Sequence, residues 1–152
     1  MLWASNSRAD RAPGALAEGC PARRESPEEN HEVVSEVEMP ENEVQKFYET
    51  LKRLQEPRGY YFNADMTMTS EILKGLLKNK ARYGYMSCPC RLASGNRESD
   101  KDIICPCAYR EADVKEYGSC YCNLYVSRDW NEGKIPHSIV PERRPPEKTL
   151  IR

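Results

Sequence analysis

A small, mainly α-helical domain with short irregular and strand-like segments is what this sequence predicts. Three observations lead there. Residues 41–56 and 65–80 each place apolar side chains on one face at helical spacing. Only one short stretch, "CYCNLYV" (120–126), is dominated by β-branched and aromatic residues. The region from 41 to about 135 has few apolar residues for a core, yet it holds six of the seven cysteines. A core that thin leans on a bound metal.

The length, 152 residues, suits one domain with tails. Charged residues make up 31% and the mean hydropathy is −0.81, as expected of a water-soluble chain. No apolar run approaches the roughly 18 residues of a membrane span, so no membrane association is expected. The first twenty residues lack the apolar centre of a secretory signal, which points to the cytoplasm. In such a reducing compartment a tight cysteine cluster more often binds metal or does redox chemistry than forms structural disulfides. A net charge of −1 gives no nucleic-acid footprint. The charge is uneven, with 4 arginines against 8 acidic residues in 1–40 and 19 basic against 16 acidic residues after it. The mildly basic part reads first as an ordinary solvated surface and second as a face for an acidic partner.

Taken in order, residues 1–40 have no sustained period and too few apolar residues to offset chain entropy, so they read as a disordered tail. Val33, Val34 and Val37 allow one short helical turn there, and Cys20 and His31 read as incidental. Residues 41–56 form a helix with Val44, Phe47, Tyr48, Leu51 and Leu54 on its apolar face. Glu41 and Glu43 in the first turn and Lys52 and Arg53 near the end suit the helix dipole. Pro57 and Gly59 stop it. Asp65 caps a second helix running to about Lys80, with Met68, Ile72, Leu73, Leu76 and Leu77 facing the core and Gly75 as a weak spot. Residues 91–102 are polar with a turn at Gly95 and Asn96. Residues 108–118 make a short helix ending at Gly118, and 120–126 make a strand. The proline-rich segment 136–152 is extended, disordered, or wrapped round the core as a strap. A single domain over 41–135 between two tails is the resulting division.

The cysteines fall in three C-x-C pairs: Cys88/Cys90, Cys105/Cys107 and Cys120/Cys122. Four thiolates complete one metal site, so two are left over. Zinc sites use pairs of C-x2–4-C knuckles, a template that three C-x-C pairs fit poorly. A [4Fe–4S] cluster takes four thiolates. Two spare thiols beside an electron-storing cluster suggest a redox-active disulfide. Pro89 and Pro106 fix φ inside the first two pairs and remove a competing N–H.

At this point the residues resemble a known family. "GLLKNKARYGYMSCPCR", a loop, "CPC", a second loop and C-x-C followed by "NLYV" look like the catalytic (beta) subunit of ferredoxin–thioredoxin reductase, over roughly residues 42–130. The resemblance implies a thin, mostly helical unit organised around a [4Fe–4S] cluster. It implies Cys88, Cys105, Cys107 and Cys120 as cluster ligands and a Cys90–Cys122 active-site disulfide, with Cys90 the exposed attacking thiol and Cys122 beside the cluster. It implies ferredoxin as electron donor, thioredoxin or a similar protein as acceptor, and a small variable subunit as a further partner of photosynthetic versions. The chain then reads as a bacterial or archaeal relative of the chloroplast enzyme. Two departures stand out. The chloroplast-type pattern has a longer gap than 91–104 and a shorter one than 108–119. Its third pair is C-H-C, where this chain has Tyr121, a poor proton acceptor at neutral pH.

A simple iron–sulfur electron carrier and a zinc-stabilised interaction module remain as alternatives. His137 reads as a solvated histidine, Trp130 as a core-edge residue, and Arg110, Lys115 and Arg128 as a solvated face as much as a ferredoxin-docking one. Arg91 reads equally as a surface arginine, a charge favouring the Cys90 thiolate, or a contact for an acidic donor.

Overall fold

The structure is a computed structural model that describes residues 39–149. The expectations for residues 1–38, with Cys20, His31 and the turn at Val33, Val34 and Val37, lie outside it.

Helix α1 (Glu41–Gln55) follows Pro40 and buries Val44, with Phe47, Tyr48 and Leu51 half-buried on the same stripe. Leu54, expected on that face, is 53% exposed. At 100° per residue it lies about 80° round from Val44, whereas Gln55 returns to within about 20°. Gln55 is accordingly the buried residue, and its side-chain oxygen accepts from Arg110 at 2.7 Å.

Helix α2 (Met66–Tyr83) starts at Asp65, whose carboxylate accepts from the backbone N–H groups of Thr67 and Met68. It runs three residues beyond the expected end and stops at Gly84, which takes the left-handed conformation at φ 80°. Its buried stripe is Thr69, Ile72, Leu73 and Leu76. Met68 falls at the edge of that stripe and is exposed, while Thr69 occupies the centre by donating its hydroxyl to the Asn63 carbonyl at 2.9 Å. Gly75 is no weak spot. A β-carbon there would stand 2.8 Å from Cβ of Pro89, so the absence of a side chain is what lets α2 lie against the first Cys-Pro-Cys turn.

The expected strand over 120–126 is cut short. Only β2 (Tyr125–Val126) is extended, paired antiparallel with β1 (Tyr61–Phe62) in the register Tyr61 opposite Val126 and Phe62 opposite Tyr125. Cys120–Asn123 instead form a tight turn, because Asn123 adopts φ 56°, a left-handed conformation that Asn tolerates through its short polar side chain. Helix α3 (Arg110–Tyr117) ends at Gly118 as its sequence suggests. A short α4 (Arg128–Asn131), absent from the sequence reading, is capped by Ser127, and α5 (Pro146–Thr149) begins at the second proline of the last proline pair.

The core gathers Val44, Phe62, Ile72, Leu73, Leu76, Leu124 and Tyr125 with Cys120, so the third cysteine pair is built into it. Residues 137–149 lie along the domain. Val140 is buried, Arg143 pairs with Asp113 and Glu116, and Arg144, 5% exposed, reaches Asp100, Asp102 and the carbonyls of Leu92 and Ser99. Asp100 organises the polar loop before it. Its carboxylate accepts from Tyr85 Oη at 2.6 Å and from the N–H groups of Ser94 and Gly95.

Candidate functional site

Short backbone pairings bring the first two cysteine pairs side by side. Ser87 and Ile104 form an antiparallel bridge, Cys88 N–H donates to the Ile103 carbonyl at 2.8 Å, and Cys105 N–H donates to the Met86 carbonyl at 2.8 Å. The third pair sits in the turn before β2. There Cys120 N–H donates to the Tyr125 carbonyl and Asn123 N–H to the Cys120 carbonyl, both at 2.8 Å. Asn63 ties this turn to the start of α2 through its backbone N–H on the Leu124 carbonyl and its side-chain amide on the Asn123 carbonyl.

The sulfurs converge. Sγ of Cys88, Cys90 and Cys122 all lie within 4.8 Å of one another, and Cys120 Sγ is 3.6 Å from Cys122 Sγ. All six are free thiols, with Cys88 and Cys120 buried, Cys105, Cys107 and Cys122 half-buried, and Cys90 exposed. The tightest trio therefore joins Cys88, which the resemblance assigns to the cluster, with Cys90 and Cys122, which it assigns to the disulfide. Cys105 and Cys107 stand outside the trio, yet close enough to Cys88 and Cys120 to be influenced by their charge.

Electrostatics separate the thiols. Hydrogen bonds from Cys122 and Cys88, in that order, draw the Cys90 pKa well below the ordinary thiol range, and Arg91 adds to this against burial. Cys122 moves the other way, because hydrogen bonds to Cys120, Cys88 and Cys90 hold its proton on. Burial pushes Cys105 up, with Cys88 and Cys120 adding to it; burial also raises Cys107, against the pull of Arg91. Cys120 is also drawn down, chiefly by its hydrogen bond with Cys122, but it is buried, so Cys90 is the thiol that combines a lowered pKa with exposure, which is what a nucleophile needs.

Arg91 is not a surface arginine. Its side chain is 2% exposed and forks onto Glu142, with Nε 3.0 Å from both carboxylate oxygens and Nη2 2.9 Å from one of them. Nη1 points at Cys107 Sγ at 3.5 Å, and the guanidinium lies 4.2 Å from the Tyr121 ring centroid. Burial works against its charge, but Glu142 and the Cys107 sulfur hold it protonated. Arg110 is likewise not simply solvated, since it stacks 3.7 Å over Tyr60, and Arg128 donates to Tyr61 Oη.

His137 also departs from expectation. Its ring stacks on Trp130 at 3.7 Å between centroids and 9° between planes, and its Nε2 is 2.9 Å from the Trp130 carbonyl oxygen. A carbonyl only accepts, so Nε2 carries the proton and Nδ1 is the free nitrogen. Cys90, Tyr121, Asn123, Trp130, His137 and Glu142 are among the residues lining one cavity of about 580 Å³. No motif connects His137 or Glu142 with the cysteines in the sequence. Only the path of the strap brings them there.

The donor set suits a thiophilic metal group. Several thiols are shielded and none is committed to a disulfide. Ser87, Ser119 and Tyr125, all in segments that carry the cysteines, have buried hydroxyls without a protein partner among the described residues. No helix among the described residues is long and apolar enough to cross a membrane.

Fold and site together define a small, mainly helical thiol domain with room for cysteine-bound metal and one exposed, readily ionised thiol. Residues 37–143 match the family described as "Ferredoxin thioredoxin reductase catalytic beta chain". Similar proteins include the ferredoxin-thioredoxin reductase catalytic chain of Guillardia theta, 31% identical over 57% of this chain and 79% of that one. The catalytic chain of Pyropia yezoensis is 30% identical over 61% and 78% respectively, and that of a Synechocystis strain 30% over 45% and 57%. The chain belongs to the ferredoxin–thioredoxin reductase catalytic beta chain family and is an oxidoreductase.

Proposed function

We propose that this protein is a ferredoxin-dependent disulfide reductase, with residues 41–135 as its iron–sulfur domain and the strap that follows completing the cavity beside Cys90. The observation that carries the reading is the meeting of Cys88, Cys90 and Cys122 sulfurs within 4.8 Å, with Cys90 exposed. Cys88, Cys105, Cys107 and Cys120 would hold a [4Fe–4S] cluster, which when bound supplies the one-electron steps that a two-electron disulfide couple needs. Cys90 and Cys122 are the redox pair, oxidised to a disulfide and reduced to two thiols in each turnover.

In the reduced pair the Cys90 thiolate attacks one sulfur of the target disulfide. A Cys90–target disulfide forms, the target S–S bond breaks, and the released thiolate takes up a proton. Cys122 then gives up its proton and attacks Cys90 Sγ; the Cys90–Cys122 disulfide forms, the Cys90–target bond breaks, and the second released thiolate takes up a proton, which leaves the target as a dithiol. Two electrons from ferredoxin, delivered singly, and two protons restore the pair. The direction is downhill: from a plant-type ferredoxin near about −400 mV to thioredoxin near about −270 mV is roughly 6 kcal/mol for two electrons. His137, in the cavity that Cys90 lines, is the group in our reading that takes up a proton at its free Nδ1 and hands it to the departing thiolate, while its Nε2–H stays on the Trp130 carbonyl.

The test is reduction of thioredoxin by this protein with reduced ferredoxin as the sole electron source. Turnover that requires both the protein and reduced ferredoxin supports the reading. A protein that takes up iron and sulfide and accepts electrons, yet reduces no disulfide, is an electron carrier instead.

A further inference from the structure

Arg91 touches all three cysteine segments. It follows Cys90 directly, donates toward Cys107 Sγ at 3.5 Å, and stacks on Tyr121 between Cys120 and Cys122 at 4.2 Å. With a 2% exposed side chain, its charge is poorly screened by water. The counter-charge arrives from the strap, where Glu142 takes the guanidinium in a fork and is itself 30% exposed. If Cys107 is a cluster ligand, as the proposed function has it, a buried cation and an N–H directed at that sulfur favour the more negative, reduced state. A carboxylate on the far side of the same guanidinium opposes this.

We propose that Arg91 and Glu142 act as an opposed pair that sets the reduction potential of the cluster bound through Cys107, Arg91 raising it and Glu142 lowering it. Both are positioning residues that act on the cluster through the Cys107 sulfur. The pair ties the potential to the path of the strap, because Glu142 reaches Arg91 only while residues 137–144 lie along the domain.

The test reconstitutes the full chain with iron and sulfide and titrates the cluster potentiometrically, followed by its visible absorption. Arg91→Gln shifts the potential down, Arg91→Lys, which keeps the charge but loses the fork, shifts it less, and Glu142→Gln shifts it up. Opposite signs at two residues of one ion pair are not what a packing defect produces. Equal potentials in the wild type and the variants, or shifts in the same direction, overturn the proposal. Should Arg91→Gln not hold a cluster, Glu142→Gln decides alone, and an unshifted potential there overturns it. A wild-type chain that takes up no iron and sulfide overturns the iron–sulfur reading itself. A loaded wild type with unshifted variants overturns only this inference.

Discussion

Gly75 on α2 and Pro89 in the first Cys-Pro-Cys turn are in such close approach that a β-carbon on Gly75 would sit 2.8 Å from Cβ of Pro89. The helix and the turn are therefore one packed unit. In an ordinary helix interior, Gly→Ala stabilises by about 1 kcal/mol. Here Gly75→Ala is expected to destabilise by about 1–3 kcal/mol, the usual cost of overpacking, because Pro89 and its flanking cysteines must shift. Urea denaturation measures this, and a more stable variant would show that the turn yields freely.

The buried charge on Asp100 gives a second prediction. Its carboxylate serves Tyr85, Ser94 and Gly95 and faces the buried Arg144. Burial opposes ionisation, but the hydrogen bonds from Tyr85 and Ser94 prevail and hold its pKa below the ordinary value. Stability from a depressed carboxylate is fully present above the unfolded pKa of about 3.9 and is lost as pH falls through the folded value. Asp100→Asn should cost about 1–3 kcal/mol near neutral pH, since Tyr85, Ser94 and Gly95 lose an ionised acceptor while Arg144 keeps Asp102, and its stability should decline less steeply below pH 4. Denaturation midpoints compared between pH 3 and 7 check both parts. Parallel acid profiles would remove Asp100 from the account.

What the sequence made legible divides along physical lines. The three longer helices were readable because period, caps and the Gly118 stop are local signals, and the three C-x-C pairs announced a thiol site without any fold. The misreadings share a cause. Leu54 and Met68 are apolar residues at the edge of a stripe whose centre is held by the polar Gln55 and Thr69, each satisfied by one tertiary hydrogen bond. Residues 120–123 have strand composition, but Asn123 adopts a left-handed turn that composition does not encode. The roles of Arg91 and His137, and Glu142 altogether, carry no local signal, because their partners lie 7 to 51 residues away in sequence, along a strap without a period.

Proton supply is tested at His137. His137→Phe keeps a ring to stack on Trp130 but removes both nitrogens, and His137→Gln keeps a donor for the Trp130 carbonyl. If His137 delivers the proton, both variants lose rate, by about 10²-fold or more as for a general acid. A Phe variant with the wild-type rate would assign the residue to packing alone.

The sharpest division lies between Cys90 and Cys105. Cys90 is exposed, and its low pKa suits attack, so Cys90→Ser should leave iron and sulfide content unchanged while abolishing disulfide reduction. Cys105 packs against the core beside Cys120, and burial keeps its thiol protonated unless a metal takes the sulfur. Cys105→Ser should therefore lower iron and sulfide content and destabilise the fold together. Metal and sulfide analysis beside a thioredoxin reduction assay separates the two. Turnover surviving Cys90→Ser would refute the nucleophile, and an intact metal content in Cys105→Ser would refute the ligand. Counting thiols supplies the remaining check, because the oxidised protein should protect Cys90 and Cys122 from alkylation as a disulfide while its metal stays bound.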